Sequence, residues 1–300
     1  MVWPKKRVVA LTLLACHNAS NLVGQLDSTT SCQLDSIAPY VKLELNMTYI
    51  YALANQKGGV GKTTTALNLG AALGEQGKRV LLVDLDPQAG LTISLGFQPE
   101  DFSETTYTLL LGKAKAENLI HRTAFQRIDL IPANLDLAGA EVELIQELGW
   151  DRLLKEGLTE VQGYSFILID CPPSLGVLTV NALVAAQRVI IPVQTQYLAL
   201  RALKHLKELV ERVQQRANPE LEMRILRTMH EKRTIHSREV SEELGELFPR
   251  EIYRTIIPKT IRFADSSLAS KPLITYAGST EAAEAFRALA KEINHETTND

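Results

Sequence analysis

The sequence predicts an α/β protein: a doubly wound, mostly parallel sheet flanked by helices. Three observations lead there. Short apolar runs rich in Val, Ile and Leu alternate with longer amphipathic stretches, the pattern of strands buried on both faces beneath crossover helices. The chain has 300 residues, 45% hydrophobic and 22% charged, a composition usual for a globular domain and a length able to bury a sizeable core. A glycine-rich turn sits between the first apolar run and the first helical stretch, where such a sheet binds its ligand.

In chain order, apolar runs predict strands at residues 49–54, 79–83, 128–131, 166–169, 189–193, 223–229 and 252–256. Helices are expected at 64–76, 138–148, 179–186, 199–216 and 237–247, with a last one at 281–293. Gly77 stops the first. Leu203, Leu206, Leu209, Val210 and Val213 recur at helical spacing on one face of the fourth. Residues 96–125 are less periodic and predict a helical, partly mobile surface region. Right-handed crossovers place a ligand at the carboxyl ends of the strands.

The most informative stretch is residues 57–64, K-G-G-V-G-K-T-T. It completes a phosphate-binding loop after a strand and before a helix. Gly58, Gly59 and Gly61 let backbone N–H groups turn inward around phosphate oxygens, with Val60 and Thr64 completing the loop. Lys62 supplies a point charge to the β- and γ-phosphates, and the Thr63 hydroxyl is a ligand for Mg²⁺. The helix that follows aims its positive end at the nucleotide. A nucleotide phosphate and Mg²⁺ are therefore the expected ligands. Asp84 and Asp86 follow the second strand, and Asp170 ends the apolar run 166–169, so all three carboxylates are expected near the phosphates.

With Lys57 at its first variable position, the loop resembles the deviant Walker A group of P-loop ATPases, the ParA/Soj-type partition ATPases in particular. The resemblance continues through V-D-L-D-P-Q (83–88), I-D-C-P-P-S (169–174), I-P-V-Q (191–194), K-R-T (232–234) and I-P-K (257–259), and covers about residues 47–294. It implies a P-loop NTPase fold and an ATP-bound homodimer. Lys57 would reach the nucleotide of the other subunit, with Gly58 small to admit the partner backbone. It implies that Asp86 orients the attacking water, that Asp84 and Asp170 support Mg²⁺, and that Pro258 packs beside the adenine, with Thr228 and Met229 facing the base. Arg233 and Arg262 fall at positions for sequence-independent binding of double-stranded DNA. Lys232, Arg238, Arg254 and Lys259 are further candidates. A ParB-type centromere-binding or cargo adaptor protein is the implied partner, and a cytoplasmic, nucleoid-associated location follows. One departure is that segment 224–229 lacks the glycine usual in the family strand and reads short.

Charge and cysteines narrow the classes. Net charge is −3, so the chain as a whole is not a basic nucleic-acid binder, although residues 201–262 hold 14 Lys/Arg against 10 Asp/Glu. Cys16, Cys32 and Cys171 are too few for a disulfide framework and form no Cys-x-x-Cys pair, which excludes an iron–sulfur reductase of the same superfamily. Cys171 reads as a small core residue. An ATP-dependent synthetase is disfavoured by Arg233 and Arg262. A MinD-type membrane-associated regulator of division-site placement is the alternative. It would need an amphipathic basic tail, and the polar, acidic sequence near residue 300 predicts no membrane binding. No apolar run reaches the roughly 18 residues of a membrane span.

Two domains are assigned: residues 1–46, without counterpart in the family, and residues 47–300, one ATPase domain. Within the first, Lys5-Lys6-Arg7 before an apolar run has the form of a secretion signal, which conflicts with a cytosolic nucleotide switch. Met47 just before the first strand is placed as an initiator would be. Residues 1–46 are thus expected to be a mis-assigned start or, if made, a poorly ordered extension.

Overall fold

The computed structural model describes residues 47–195, 199–231 and 233–299. The expectations for residues 1–46 and for Lys232 lie outside the described residues. Eight strands form one sheet: β1 (Tyr49–Leu53), β2 (Val80–Asp84), β3 (His121–Arg122), β4 (Ile128–Ile131), β5 (Phe166–Asp170), β6 (Arg188–Gln194), β7 (Glu222–His230) and β8 (Ile252–Pro258). Their spatial order is β3-β4-β2-β5-β1-β6-β7-β8. Every pairing is parallel except the edge pair β3–β4. This is the doubly wound, mostly parallel sheet that the alternating pattern predicts.

The helices are α1 (Lys62–Glu75), α2 (Gly90–Ser94), α3 (Thr106–Leu110), α4 (Leu137–Leu144), α5 (Leu153–Leu158), α6 (Val177–Ala185), α7 (Ala199–Arg216), α8 (Ile235–Leu247), α9 (Arg262–Leu268), α10 (Leu273–Tyr276) and α11 (Glu281–Asn299). They form two layers, because successive strand residues point to opposite faces. Leu81, Val83, Ile167, Ile169, Val189 and Ile191 pack with Leu144, Leu154, Leu183 and Leu206 of α4 to α7. Val80, Leu82, Phe166, Leu168 and Ile190 pack with Leu69, Leu73, Phe286 and Leu289 of α1 and α11.

Three details differ from the sequence expectations. Residues 96–125 are only in part helical. They hold α3, two short 3₁₀ turns and β3, and Leu109, Leu110 and Leu119 are buried in the core. α4 stops at Leu144, short of 148. α11 runs beyond 293, where Thr297 accepts a hydrogen bond from the Tyr49 hydroxyl (2.8 Å) and Glu296 pairs with the buried Arg188 (2.6 Å).

The short β7 segment pairs continuously with β6, from Arg188 opposite Glu222 to Gln194 opposite Thr228. The irregularity falls on its other side, where the register to β8 shifts twice between Ile225 and His230. Met229 there has φ 49°, a left-handed backbone without a glycine.

Candidate functional site

The site forms where β1, β2, β5 and β6 end side by side. After β1 the chain enters the glycine loop. Gly59 and Gly61 take φ 72° and 94°, a region that a β-carbon disfavours. Gly61 caps α1 with no side-chain hydrogen bond, so the first N–H groups of α1 are not capped by a side chain and suit an anion. Lys62, the first residue of α1, is buried. Thr228 braces the loop: its buried hydroxyl donates to the Val60 carbonyl (2.9 Å). That contact corrects the expectation that Thr228 faces the base.

Asp84 and Asp170 are register partners at the ends of neighbouring strands, and both are fully buried. Their environments differ. Asp84 accepts three hydrogen bonds, from the Thr92 amide (2.8 Å), the Thr92 hydroxyl (2.8 Å) and the Asp86 amide (3.1 Å). It thereby ties α2 and the turn after β2 to the sheet. Asp170 accepts one from the Thr63 hydroxyl (2.6 Å), and its Oδ1 has no protein partner. Burial, then the charge of Asp84, push the Asp170 carboxyl well above the usual carboxylate range, against the Thr63 hydrogen bond and the Lys62 charge. Burial likewise raises Asp84, to about 6, against its hydrogen bonds.

A buried carboxylate oxygen without a donor is costly unless a cation answers it. Asp170 Oδ1 and the adjacent Thr63 hydroxyl fit Mg²⁺. Among the described residues no group of three His, Cys, Asp or Glu could hold a metal, which suits an ion that keeps waters and binds mainly through substrate phosphates. Asp84, engaged by three donors, fits the second role better, as the support of the turn beside the ion.

Asp86 lies in that turn, half-buried. Its carboxylate accepts the Gln88 amide (2.9 Å) and its carbonyl the Ala89 amide (2.8 Å). The turn closes on Ala89 at φ 52°. After β5, the turn 171–176 meets the glycine loop, since a β-carbon on Gly58 would lie 3.9 Å from that of Pro173. Cys171 in this turn is buried in the core, as its composition suggested.

Lys57 is placed quite differently from Lys62. It is exposed at the rim, and its ammonium donates to Gln194 Oε1 at the end of β6 (2.9 Å). Its amide donates to the buried Asn55 side chain (3.0 Å), which in turn donates to the Pro192 carbonyl (2.7 Å). Gln194 Nε2 reaches the Gly59 carbonyl (3.3 Å) and the Met229 sulfur (2.6 Å). Met229 therefore faces Gln194. Sequence reading named neither Asn55, Gln194 nor Thr92 as site residues, because their contacts arise only once the chain is folded.

Arg233 and Lys259 lie just beyond the ends of β7 and β8 at one sheet edge. His230 is the register partner of Pro258, so the segments after β7 and β8 adjoin, and Lys259 joins them through Glu231 (2.6 Å). Arg233 is exposed, and Arg262 is 55% exposed with a weak pair to Asp265 (3.5 Å). Pro258 closes β8 beside these loops.

The comparisons agree with this geometry. The family described as AAA domain matches residues 48–223. The sporulation initiation inhibitor protein Soj of Bacillus subtilis is 44% identical over 246 residues, covering 81% of this chain and 97% of that protein. The chromosome partitioning protein ParA of Myxococcus xanthus is 40% identical over 246 residues, covering 81% and 87%. Among solved structures, a Mycobacterium smegmatis protein described as cobyrinic acid a,c-diamide synthase, with bound ADP and magnesium, is 40% identical with TM-score 0.75, covering 85% of this chain and 97% of that one. The septum site-determining protein MinD of Pyrococcus horikoshii, with Mg-ADP, is 26% identical with TM-score 0.67, covering 82% and 96%. With a nucleotide loop bearing the extra Lys57, and relatives named Soj and ParA matched over most of their length, the chain belongs to the ParA/Soj-type family of P-loop ATPases, whose cofactors are ATP and Mg²⁺.

Proposed function

We propose that this chain is an ATP-dependent dimerising switch that binds DNA without sequence preference and positions a plasmid or chromosome. A ParB-type partner would stimulate its hydrolysis. The observation that carries the reading is the division of labour between two lysines. Lys62 is buried at the start of α1, inside its own loop, whereas Lys57 stands exposed at the rim on Gln194. A second cation held outward is suited to a nucleotide in another subunit, where it supplies charge to the transition state as an arginine finger does. Dimerisation then depends on ATP.

Within one subunit, Lys62 and the loop amides bind and orient the phosphates, and Asp86 holds the attacking water. Thr63 and Asp170 would hold Mg²⁺, which would supply positive charge to the phosphates. Hydrolysis would be slow in the isolated protein, because positioning of the water would be incomplete without the partner. Nucleoid association follows from the DNA contacts.

A MinD-type membrane role is disfavoured by α11, whose apolar face (Ala283, Phe286, Leu289, Ile293) is engaged in the core. The synthase named for the mycobacterial structure would couple ATP to amide formation. Turnover of ATP by this chain on DNA without any acceptor acid separates the two.

The DNA reading is tested by Arg233→Ala combined with Arg262→Ala. Affinity for unrelated duplexes should fall equally, and the salt slope should flatten by about one unit per phosphate contact removed. ATP binding and dimerisation should persist. Wild-type affinity and slope in the double variant would refute the DNA assignment.

A further inference from the structure

We propose that Thr228-Met229-His230, at the end of β7, is the joint through which the phosphate loop sets the position of the segment that carries Arg233. These three consecutive residues each hold a different part of the molecule. The Thr228 hydroxyl donates to the Val60 carbonyl of the loop (2.9 Å). The Met229 sulfur accepts Gln194 Nε2 (2.6 Å), and Gln194 Oε1 accepts the Lys57 ammonium (2.9 Å). The His230 carbonyl accepts the Lys259 amide (3.1 Å), and its ring meets α8.

The contact with α8 is a buried clasp of three polar side chains. His230, Thr195 and Ser237 are all buried. His230 Nδ1 is hydrogen-bonded to the Ser237 hydroxyl (3.1 Å) and the Thr195 hydroxyl (3.4 Å), and the two hydroxyls bond each other. The end of β6, the end of β7 and the first turn of α8 therefore meet at one point. Ser237 Oγ also accepts the Glu231 amide (3.1 Å), and the Glu231 carbonyl accepts the Thr234 amide (3.0 Å). Those two bonds close the turn on which Arg233 is exposed. A buried network of mutually bonded polar groups is stiff, so this turn follows His230.

Between the loop contact and the clasp lies Met229, a non-glycine residue at φ 49°. Such a conformation persists only where its surroundings over-determine it, and it concentrates at switch regions. The pairing of β7 with β6 ends at Thr228, and its register to β8 shifts between Arg227 and His230. The regular ladder thus stops short of Met229, and the side-chain contacts of residues 228 to 230 hold it instead. A displacement of Val60 as the loop closes on phosphate passes to Thr228 and, across Met229, to His230 and the Arg233 turn. The inference rests on the switch reading above and names the residues by which nucleotide reaches the DNA side.

The experiment uses the full chain, a non-hydrolysable ATP analogue and a duplex of arbitrary sequence. The coupling factor is the ratio of DNA affinities with and without the analogue. Linkage requires the same factor in analogue affinity with and without DNA. Glycine takes φ 49° without steric cost, so if Met229 only completes the fold, Met229→Gly should keep wild-type coupling. As a joint it should instead lose coupling by about tenfold or more, because a flexible residue transmits no displacement. Ser237→Ala, which unties the Arg233 turn from His230, should show a loss of the same order. Dimerisation driven by the analogue, measured alongside by light scattering, should persist in both variants.

Wild-type coupling in Met229→Gly, or a loss of coupling that appears only together with a loss of dimerisation, overturns the proposal. The switch reading fails separately: a wild-type protein whose DNA affinity does not respond to the analogue would overturn that reading, and the joint with it.

Discussion

Asp170→Asn isolates the electrostatic strain at the centre of the site. Two carboxylates stand side by side in the interior, at Asp84 and Asp170. For Asp84 the shift from 3.8 to about 6 corresponds to about 3 kcal/mol of lost folding free energy at neutral pH, at about 1.4 kcal/mol per unit. Asp170 is raised in the same direction, in part by Asp84 itself. The substitution removes one of the two charges, keeps an oxygen for the Thr63 hydroxyl, and lets Asp84 ionise more readily.

The nucleotide-free variant should therefore be more stable than wild type at pH 7 by about 1–3 kcal/mol, a rise in Tm of roughly 2–6 °C for a domain of this size. The sign with pH follows from the raised values. The folded protein holds extra protons between the unfolded value of 3.8 and the folded value of about 6. The contribution of Asp84 to wild-type stability is greatest below that window and falls as pH rises through it. The variant should fall less. Mg²⁺-ATP should reverse the ranking, because the Asp170 carboxylate would then be matched by a cation and the neutral amide would not. Calorimetry across this pH range, with and without Mg²⁺-ATP, measures all three effects. A variant less stable than wild type at pH 7 without nucleotide, or one that gains as much from Mg²⁺-ATP, would refute the reasoning.

Lys62→Ala should lose ATP binding, whereas Asp86→Ala should keep it and accumulate the ATP-bound dimer. Light scattering decides, and a monomeric ATP-loaded Asp86→Ala would rule out its role at the water. Lys57→Ala should lose hydrolysis and dimer stability more than ATP affinity. Mixed dimers with Asp86→Ala subunits should regain activity at one of their two sites, and confirmed mixed dimers without it would count against action in trans. Gln194→Ala should remove one hydrogen bond that positions the Lys57 ammonium, lowering kcat by roughly fivefold, the equivalent of about 1 kcal/mol. KM for ATP should hardly move, and a KM change with constant kcat would place Gln194 in ground-state binding instead.

The parts of the fold legible in the sequence are those whose signal is local. β1, β5 and α1 follow from an apolar run, a second apolar run and a glycine punctuated turn, and each was placed within a residue or two. β3 has no such signal: two polar residues, His121 and Arg122, become a strand only because β4 offers them an edge. α11 outlasts its apolar period for a similar reason. Its final turns are held by Arg188 and by the Tyr49 hydroxyl, contacts more than 100 residues away in sequence.

The site divides along the same line. The motif residues Lys62, Thr63 and Asp170 come together as their spacing implies, since a strand, a loop and a helix fix them locally. Asp84 and Asp170 look alike in sequence, each an aspartate closing an apolar strand. What separates them is Thr92, eight residues beyond Asp84, which folds back with its amide and hydroxyl on one carboxylate and leaves the other with a bare oxygen. That asymmetry suits one acid to the scaffold and the other to a cation, and it arises from tertiary structure alone. The consequence reaches the turn after β2. Because Asp84 grips both the Asp86 amide and α2, a change in its ionisation would bear directly on the turn that carries Asp86, the residue proposed to hold the water. The ion and the turn are thereby coupled through a residue that has no protein-free oxygen to offer the ion.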